Sequence, residues 1–400
     1  MAKQASIAIG RVGIIELTAL LTIYTATDVF LSFPSRVASE GQSMAWAIPL
    51  ISGVIDLLSF FIVHICFKRF PGENILQVLT RTMGRFITIL AALVFILFFL
   101  TQTALVMREF TETVVTTVLP ATPTGVVTLA FLVVVVYYAH KGLEGLTRTA
   151  MIFSYVFLIG LALLLILPLP WFNASLLLPF WGRGLTSTLW FGMINTSLFC
   201  NVLILSIMYP AIRNRNKFVY IGVVSIILAA LIFSVVVLVF LGIFTVAPMG
   251  KIPFPLYQLA RVIYVGRFVQ RMESIFIFLW VAAAVIKMGF GLWLAAYLYA
   301  QAFDMPVYRP LLAPFSLLLY VLSFLPPDFP TVLAISAQIF EPYGWTVSVA
   351  LPVLLAILVA LVDHFSHGGR KGTPDNEEEE KGSAKKGKGR WRFRRRVLVR

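Results

Sequence analysis

Residues 22–34 read Thr22-Ile23-Tyr24-Thr25-Ala26-Thr27-Asp28-Val29-Phe30-Leu31-Ser32-Phe33-Pro34, a line of hydroxyls closing on a carboxylate inside a segment rich in Ile, Leu and Ala. Thr, Ser and Asp side chains bond to nearby backbone groups and so compete with helix. A carboxylate facing lipid is costly, so Asp28 is expected to face a cavity or a partner. Two readings stay open: a helix that unwinds here and offers freed backbone groups to a ligand, or a helix that ends near Asp28 with the carboxylate at the outer surface.

A second stretch has the same character. Gly192-Met193-Ile194-Asn195-Thr196-Ser197-Leu198-Phe199-Cys200-Asn201 places poor helix-interior residues in the middle of an apolar segment. Ser197 and Asn201 are four apart and share a face if the helix is continuous. Ordinary interhelical hydrogen bonding would also account for them. Interruptions in both a first and a sixth segment are what two inverted five-helix repeats require.

The chain around these stretches is a membrane protein by composition. Of its 400 residues, 60% are hydrophobic and 12% charged, with a mean hydropathy of +0.92. Soluble domains carry roughly 25% charged residues. Ten apolar stretches follow: 9–33, 45–67, 86–107, 124–139, 149–170, 186–209, 218–245, 273–302, 309–325 and 344–362. They lack the alternation of a barrel, so helices are expected. Lys and Arg gather in alternate loops, such as Lys68, Arg69, Arg81, Arg85, Lys141, Arg148, Arg213, Arg215 and Lys217. That bias places both termini in the cytoplasm. The loop holding Lys251, Arg261, Arg267 and Arg271 runs against it and is expected to contain an amphipathic helix. Trp46, Trp171, Trp181, Trp190 and Trp345 fall at the opposite ends, where indoles favour the interface.

Two units are expected: a ten-helix membrane domain over 1–366 and a tail over 367–400. The tail carries 12 Lys/Arg against 5 Asp/Glu, with few apolar residues. It is read as a disordered basic cytoplasmic tail attracted to anionic lipid, with no nucleic-acid module beside it. Cys66 and Cys200 read as small core residues, and the four histidines have no metal-ligand spacing. No phosphate-binding loop or nucleophile elbow is present, no cofactor is implied, and an enzyme is not expected.

Lys287 is the remaining oddity. It lies well inside the eighth stretch, in Trp280-Val281-Ala282-Ala283-Ala284-Val285-Ile286-Lys287-Met288-Gly289-Phe290-Gly291. A lysine there must point inward to an acceptor, with Asp28, Asp56 or unwound carbonyls as candidates. It reads either as a fixed or titrating cation standing in for a bound sodium ion, or as half of a structural ion pair. Gly289 and Gly291 read as packing positions. Glu16, Asp56 and His64 are taken as structural. Arg108, Glu109 and Glu112 read either as a gate or subunit contact, or as a solvated helix end.

Several loop motifs in order resemble the spore germination B-subunit, or spore permease, family. They are Phe70-Pro71-Gly72-Glu73-Asn74-Ile75-Leu76, Thr103-Ala104-Leu105-Val106-Met107-Arg108-Glu109-Phe110, Leu119-Pro120-Ala121-Thr122-Pro123, Gly142-Leu143-Glu144-Gly145-Leu146-Thr147-Arg148, and Gly266-Arg267-Phe268-Val269-Gln270-Arg271-Met272-Glu273-Ser274, followed by Trp280 and Lys287. The resemblance implies the fold of the amino acid-polyamine-organocation superfamily, of LeuT type, with a pocket at spans one, three, six and eight. It carries over Thr25, Thr27, Asp28, Asn195, Ser197 and Asn201 as ligand-binding residues and Lys287 as the cation; Thr101 is added by its position in span three. It also implies a nutrient germinant receptor of the spore inner membrane, with an A subunit and a lipoprotein C subunit as partners. In one departure, Thr27 and Val29 stand where the family has glycines, which narrows backbone approach to a ligand carboxylate. The function expected is binding of a small, amino-acid-like nutrient that triggers germination. The rivals are a proton-coupled amino-acid transporter of the same fold and a purely structural assembly subunit.

Overall fold

The structure, a computed structural model, describes residues 10–244, 254–263 and 273–368. The tail from residue 369 and the family-like stretch at 266–272 lie outside the described residues.

All named elements are helical, and ten membrane segments follow one another in chain order. Among the described residues, seven helical stretches are long and apolar enough to cross a membrane, two shorter apolar ones are Thr124–His140 and Arg309–Ser323, and the first half of span one, Ile14–Ala26, completes the set. Large apolar side chains such as Leu58, Ile65, Phe86, Leu97, Ile152 and Ile159 point outward, as a lipid-facing surface requires.

Spans one and six are both broken. Span one runs as Ile14–Ala26, a 3-10 turn at Thr27–Phe30, and a new helix at Phe33–Gly41. Pro34 sits in the first turn of that helix, where its missing N–H costs nothing. Span one is thus longer than the 9–33 expected, because Phe33-Pro34 restarts a helix. Span six runs as Leu185–Ile194, a 3-10 turn at Asn195–Leu198, and Asn201–Met208, with Cys200 left-handed at φ 52° between the last two. Because Cys200 breaks the helix, the four-residue spacing of Ser197 and Asn201 does not put them on one continuous face.

Span two is Ile48–Phe67, span three Arg85–Thr117, span four Thr124–His140, span five Gly142–Ile166, span seven Phe218–Ile243, span eight Glu273–Ala302 and span nine Leu312–Ser323. Span ten is composite: Phe329–Ile335, a π-helical Ser336–Phe340, Glu341–Trp345, a second π-helical Thr346–Ala350, and Leu351–Gly368. The short helix Pro255–Val262 between spans seven and eight buries Leu256 and Leu259 and exposes Arg261, which is the amphipathic helix expected there.

Two further boundaries differ from the sequence reading because polar or irregular turns lie inside the helices. Span three was expected to end at 107 and instead runs to Thr117, with Arg108 6% and Glu109 5% exposed. Its threonine hydroxyls bond back to carbonyls one turn earlier, Thr113 to Glu109 and Thr117 to Thr113, so polarity is absorbed within the helix. Arg108 and Glu109 are therefore not a solvated helix end. Span ten begins at Phe329, not 344, because its two π-helical stretches spoil the 3.6-residue apolar period.

Span eight is the central post. It packs against spans three, four and five, with Gly291 against Thr103 and Gly289 against Tyr138 so closely that a Cβ would stand 2.2 and 2.4 Å from them. Spans two and seven approach in the same way at Gly53 and Ala230. Small residues at these crossings bring the backbones close enough for dispersion to hold helices together in lipid.

Candidate functional site

The two breaks meet. Thr25 at the end of the first half of span one donates its hydroxyl to the Phe199 carbonyl in the break of span six, at 3.2 Å. Thr27 turns its hydroxyl to Ile23 O at 2.6 Å and Ala283 O of span eight at 3.4 Å. Next to it, Asp28 Oδ2 accepts from Lys287 Nζ at 2.6 Å, with the two side chains 7% and 2% exposed. Of the three acceptors considered for Lys287, the structure selects Asp28. The ammonium also lies 4.7 Å from the centre of the Tyr24 ring, whose face attracts a cation.

From this pair a polar chain runs across the bundle. Tyr24 donates to Gln102 Oε1 of span three at 2.7 Å, and Gln102 Nε2 points to Cys200 Sγ at 3.8 Å. Cys200 in turn donates to Ser197 O at 3.0 Å. Spans one, three, six and eight are thus joined at one level by side chains of which each is at least nine-tenths buried.

Beside Asp28 is a cavity with about 30 Å³ open to water centres, lined by Asp28, Ser32, Arg36, Gln102, Glu109, Leu198, Phe340 and Glu341 among others. That is room for one or two waters. On the side that carries Gly41, charged residues close it over. Arg36 pairs with Glu341 of span ten, Glu109 Oε1 takes the Ser32 N–H at 2.6 Å, and Arg108 pairs with Glu112 at 2.8 Å. Arg108 also lies over the Phe324 ring at 4.7 Å. On the side that carries Val12 the closure is backbone. Val12 N–H donates to Ala211 O at 2.9 Å and Arg213 N–H to Val12 O at 3.1 Å, tying the start of span one to the end of span six. These contacts tie the broken spans to each other and to span ten on either side of the break.

Of the residues singled out from the sequence, Asp28 lines the cavity and Lys287 holds it. Thr25 and Thr27 fasten the break beside them. Asn195 donates to Phe191 O at 2.8 Å and to Glu40 Oε2 at 3.2 Å, and its own oxygen has no partner. Ser197 is fully buried against Gly344 of span ten, with its hydroxyl unpartnered. Asn201 is fully buried with neither amide atom partnered, and it lies within electrostatic reach of Asp56 rather than on the cavity wall. Thr101 is half-buried and off the cavity; its neighbour Gln102, a hundred degrees round the helix, takes that place. Glu16 accepts the Gly13 N–H at 2.7 Å and is a helix-end residue, as expected.

Sequence reasoning missed Tyr24, Arg36, Gln102 and Glu341. Arg36 and Glu341 had been placed in loops, which follows from ending span one and starting span ten at the wrong residues. The signal for Gln102 was available: a glutamine inside an apolar helix, one residue from Thr101.

The comparisons agree with this geometry. The family model described as spore germination protein, that of the spore permeases, matches residues 11–330. Spore germination protein KB of Bacillus subtilis (strain 168) is 24% identical over 294 residues, covering 72% of this chain and 76% of that protein. Spore germination protein YndE of the same organism is 24% identical over 351 residues, covering 86% and 94%. Among solved structures, a Na+-coupled sialic acid symporter in a substrate-bound outward-open state superposes with a TM-score of 0.60 at 11% identity, over 90% of this chain and 92% of its own. MhsT in complex with L-phenylalanine gives 0.57 at 14% identity, over 86% and 96%. These likenesses establish a LeuT-type fold, an integral membrane protein built as two inverted five-helix repeats. With four fifths of its length matched by the family model and the paired breaks in place, the chain belongs to the spore permease family of spore germination proteins.

Proposed function

We propose that this chain is the nutrient-binding B subunit of a germinant receptor, and that an amino-acid-like nutrient binds where Asp28 and Lys287 now hold each other. The observation that carries the reading is that ion pair, buried at the level of two helix breaks and bordering a cavity too small for a nutrient. A zwitterion can replace it without leaving a charge unpaired: its ammonium takes Asp28, its carboxylate takes Lys287, and one internal pair becomes two pairs to the ligand. Tyr24 and Gln102 supply neutral hydrogen bonds beside it. Glu109 already occupies the N–H of Ser32 at the start of the second half of span one, so Lys287 is the better place for a ligand carboxylate.

Entry requires the Gly41 side to part, with Arg36 leaving Glu341. A ligand that binds the parted state better shifts the population toward it, and partner subunits read the shift. The A subunit and the lipoprotein C subunit are the partners this reading assigns. It also assigns the spore inner membrane, cytoplasmic termini and a basic tail against anionic lipid.

The test is paired. Binding of labelled amino acids to the purified protein is expected to fall in Gln102→Leu and Thr27→Val while assembly is retained. Spores carrying those variants are expected to need more nutrient. Unchanged dose–response curves in assembled variants would overturn the reading. A proton-coupled transporter is the second reading, favoured by the transporters among the fold neighbours and by a lysine buried inside the bundle. Concentrative, proton-driven uptake into vesicles would select it. Absence of any amino-acid binding would favour an assembly subunit.

A further inference from the structure

Unpartnered polar atoms gather at a second place, where spans two, six and ten meet and no residue of span two lines the nutrient cavity. Asp56 of span two is fully buried, and neither carboxylate oxygen has a hydrogen-bond partner. Asn201, at the start of the second half of span six, comes within side-chain hydrogen-bonding range of it, yet neither residue completes a well-formed hydrogen bond. The π-helical Thr346–Ala350 of span ten packs on span two and on both Asn195–Leu198 and Asn201–Met208. It brings in Ser348, fully buried with a free hydroxyl.

Within the apolar stretches packed around Asp56, residues 185–208 of span six, 218–243 of span seven and 346–362 of span ten, there is no Lys, Arg or His; His364 and His367 follow at the far end of span ten. On span two itself His64 lies two turns away, stacked on Phe60. Lys287 is committed to Asp28. Cys200, buried at the break of span six, lies within electrostatic range of Asp56. Tyr220, the titratable residue of span seven, is 55% exposed. An ionised carboxylate buried without a partner costs several kcal/mol, and proteins avoid it by neutralising the charge.

We propose that Asp56 and Asn201, with Ser348 on the stretch of span ten that packs on both of their spans, form a site for one small monovalent cation, sodium or a proton. One carboxylate fixes the charge at one. Carboxylate, amide and hydroxyl oxygens are the hard ligands a sodium ion takes, and a carboxylic acid with an amide beside it is the protonated alternative. Asn201 opens the half-helix that begins directly after left-handed Cys200. Occupancy would therefore pin the break of span six to span two, and loss of the cation would release it.

Two measurements on the purified full-length protein test the site, each read first on the unaltered chain and then on variants. Infrared spectroscopy in sodium-free, choline-containing buffer reads a protonated carboxyl band. Thermal unfolding in sodium against choline at equal ionic strength reads sodium binding. Proton occupancy gives a carboxyl band at neutral pH that Asp56→Asn removes. Sodium occupancy gives a saturable rise in unfolding temperature with sodium that Asp56→Asn and Asn201→Ala abolish. Either result supports the proposal and says which cation is held. An ionised Asp56 with no sodium-dependent shift would overturn it, and would mean that the half-helix N-terminus alone stabilises the charge. Nutrient binding at Asp28 can survive either outcome, so the two proposals fail separately.

Discussion

The breaks of spans one and six perform the same interruption with opposite bookkeeping of polar groups. In span one, Tyr24, Thr25, Thr27 and Asp28 each have a partner within the chain, and the charge is met by Lys287. In span six, the Asn195 oxygen, the Ser197 hydroxyl and both amide atoms of Asn201 have none. A satisfied break is a lock, because any guest must first displace an internal partner. An unsatisfied one can accept a further partner, because buried polar groups without partners cost free energy. The difference makes span one the break held from within and span six the one whose polar groups can receive another partner.

The sharpest way to break the comparison is to remove the lock's cation. Lys287→Met strands Asp28 in the membrane interior, and unfolding is expected to become easier by about 3–5 kcal/mol. The measurement is thermal stability of the detergent-solubilised protein. The double variant Asp28→Asn with Lys287→Met removes both charges and is expected to recover most of the loss, while nutrient binding stays absent. A single variant as stable as the parent would mean that Asp28 is met by something other than Lys287.

The lock was largely legible in the sequence and its cover was not. Asp28 and Lys287 are ionisable groups in apolar segments, and the cost of placing either in lipid predicts a partner with no need of geometry. The helix breaks were legible for a related reason, since Thr, Ser and Asn cluster where backbone groups need side chains. Arg36 and Glu341 were hidden, and Glu109 stayed open between a gate and a solvated helix end, because helix ends are inferred from where polarity begins. Here polarity begins inside the helices: threonines absorb it in span three, and π-helical turns bring Glu341 of span ten to Arg36. Gln102 was missed by one residue, which on a helix is a different face.

The cover offers the next test. Arg36→Ala leaves Glu341, 2% exposed, without its partner, at a cost of about 3 kcal/mol or less if the carboxyl takes a proton. The more telling readout is access. Leu105→Cys, on the cavity wall, is expected to react faster with a membrane-impermeant thiol reagent added on the Gly41 side when Arg36 is absent. Equal rates would mean that the apolar stack of Phe340 on Phe98, centroids 5.1 Å apart, closes the path without the ion pair.

A smaller effect is expected at the tie between the two breaks. Thr25→Val keeps the shape and removes the hydroxyl that Phe199 O accepts, for a loss of about 1 kcal/mol. If the breaks move as one on nutrient binding, the same variant lowers nutrient affinity by disordering the span-six side. If they move independently, stability falls and affinity does not.

The smallest change carries the opposite sign. Ser197→Ala removes a buried hydroxyl that donates to nothing, and deleting an unpartnered polar group is expected to be neutral or to stabilise by up to about 1 kcal/mol. Its Cβ, which is what packs at Gly344, remains. If the Ser197 hydroxyl serves binding, the variant is a protein slightly harder to unfold and weaker in nutrient response, measured on the same preparation by thermal unfolding and ligand titration. Destabilisation instead would show that Ser197 has a partner in the membrane, such as an ordered water, and that the break of span six is as fully satisfied as that of span one. The division of holding from receiving would then fail at its weakest point, where the side chain removed is no larger than one oxygen.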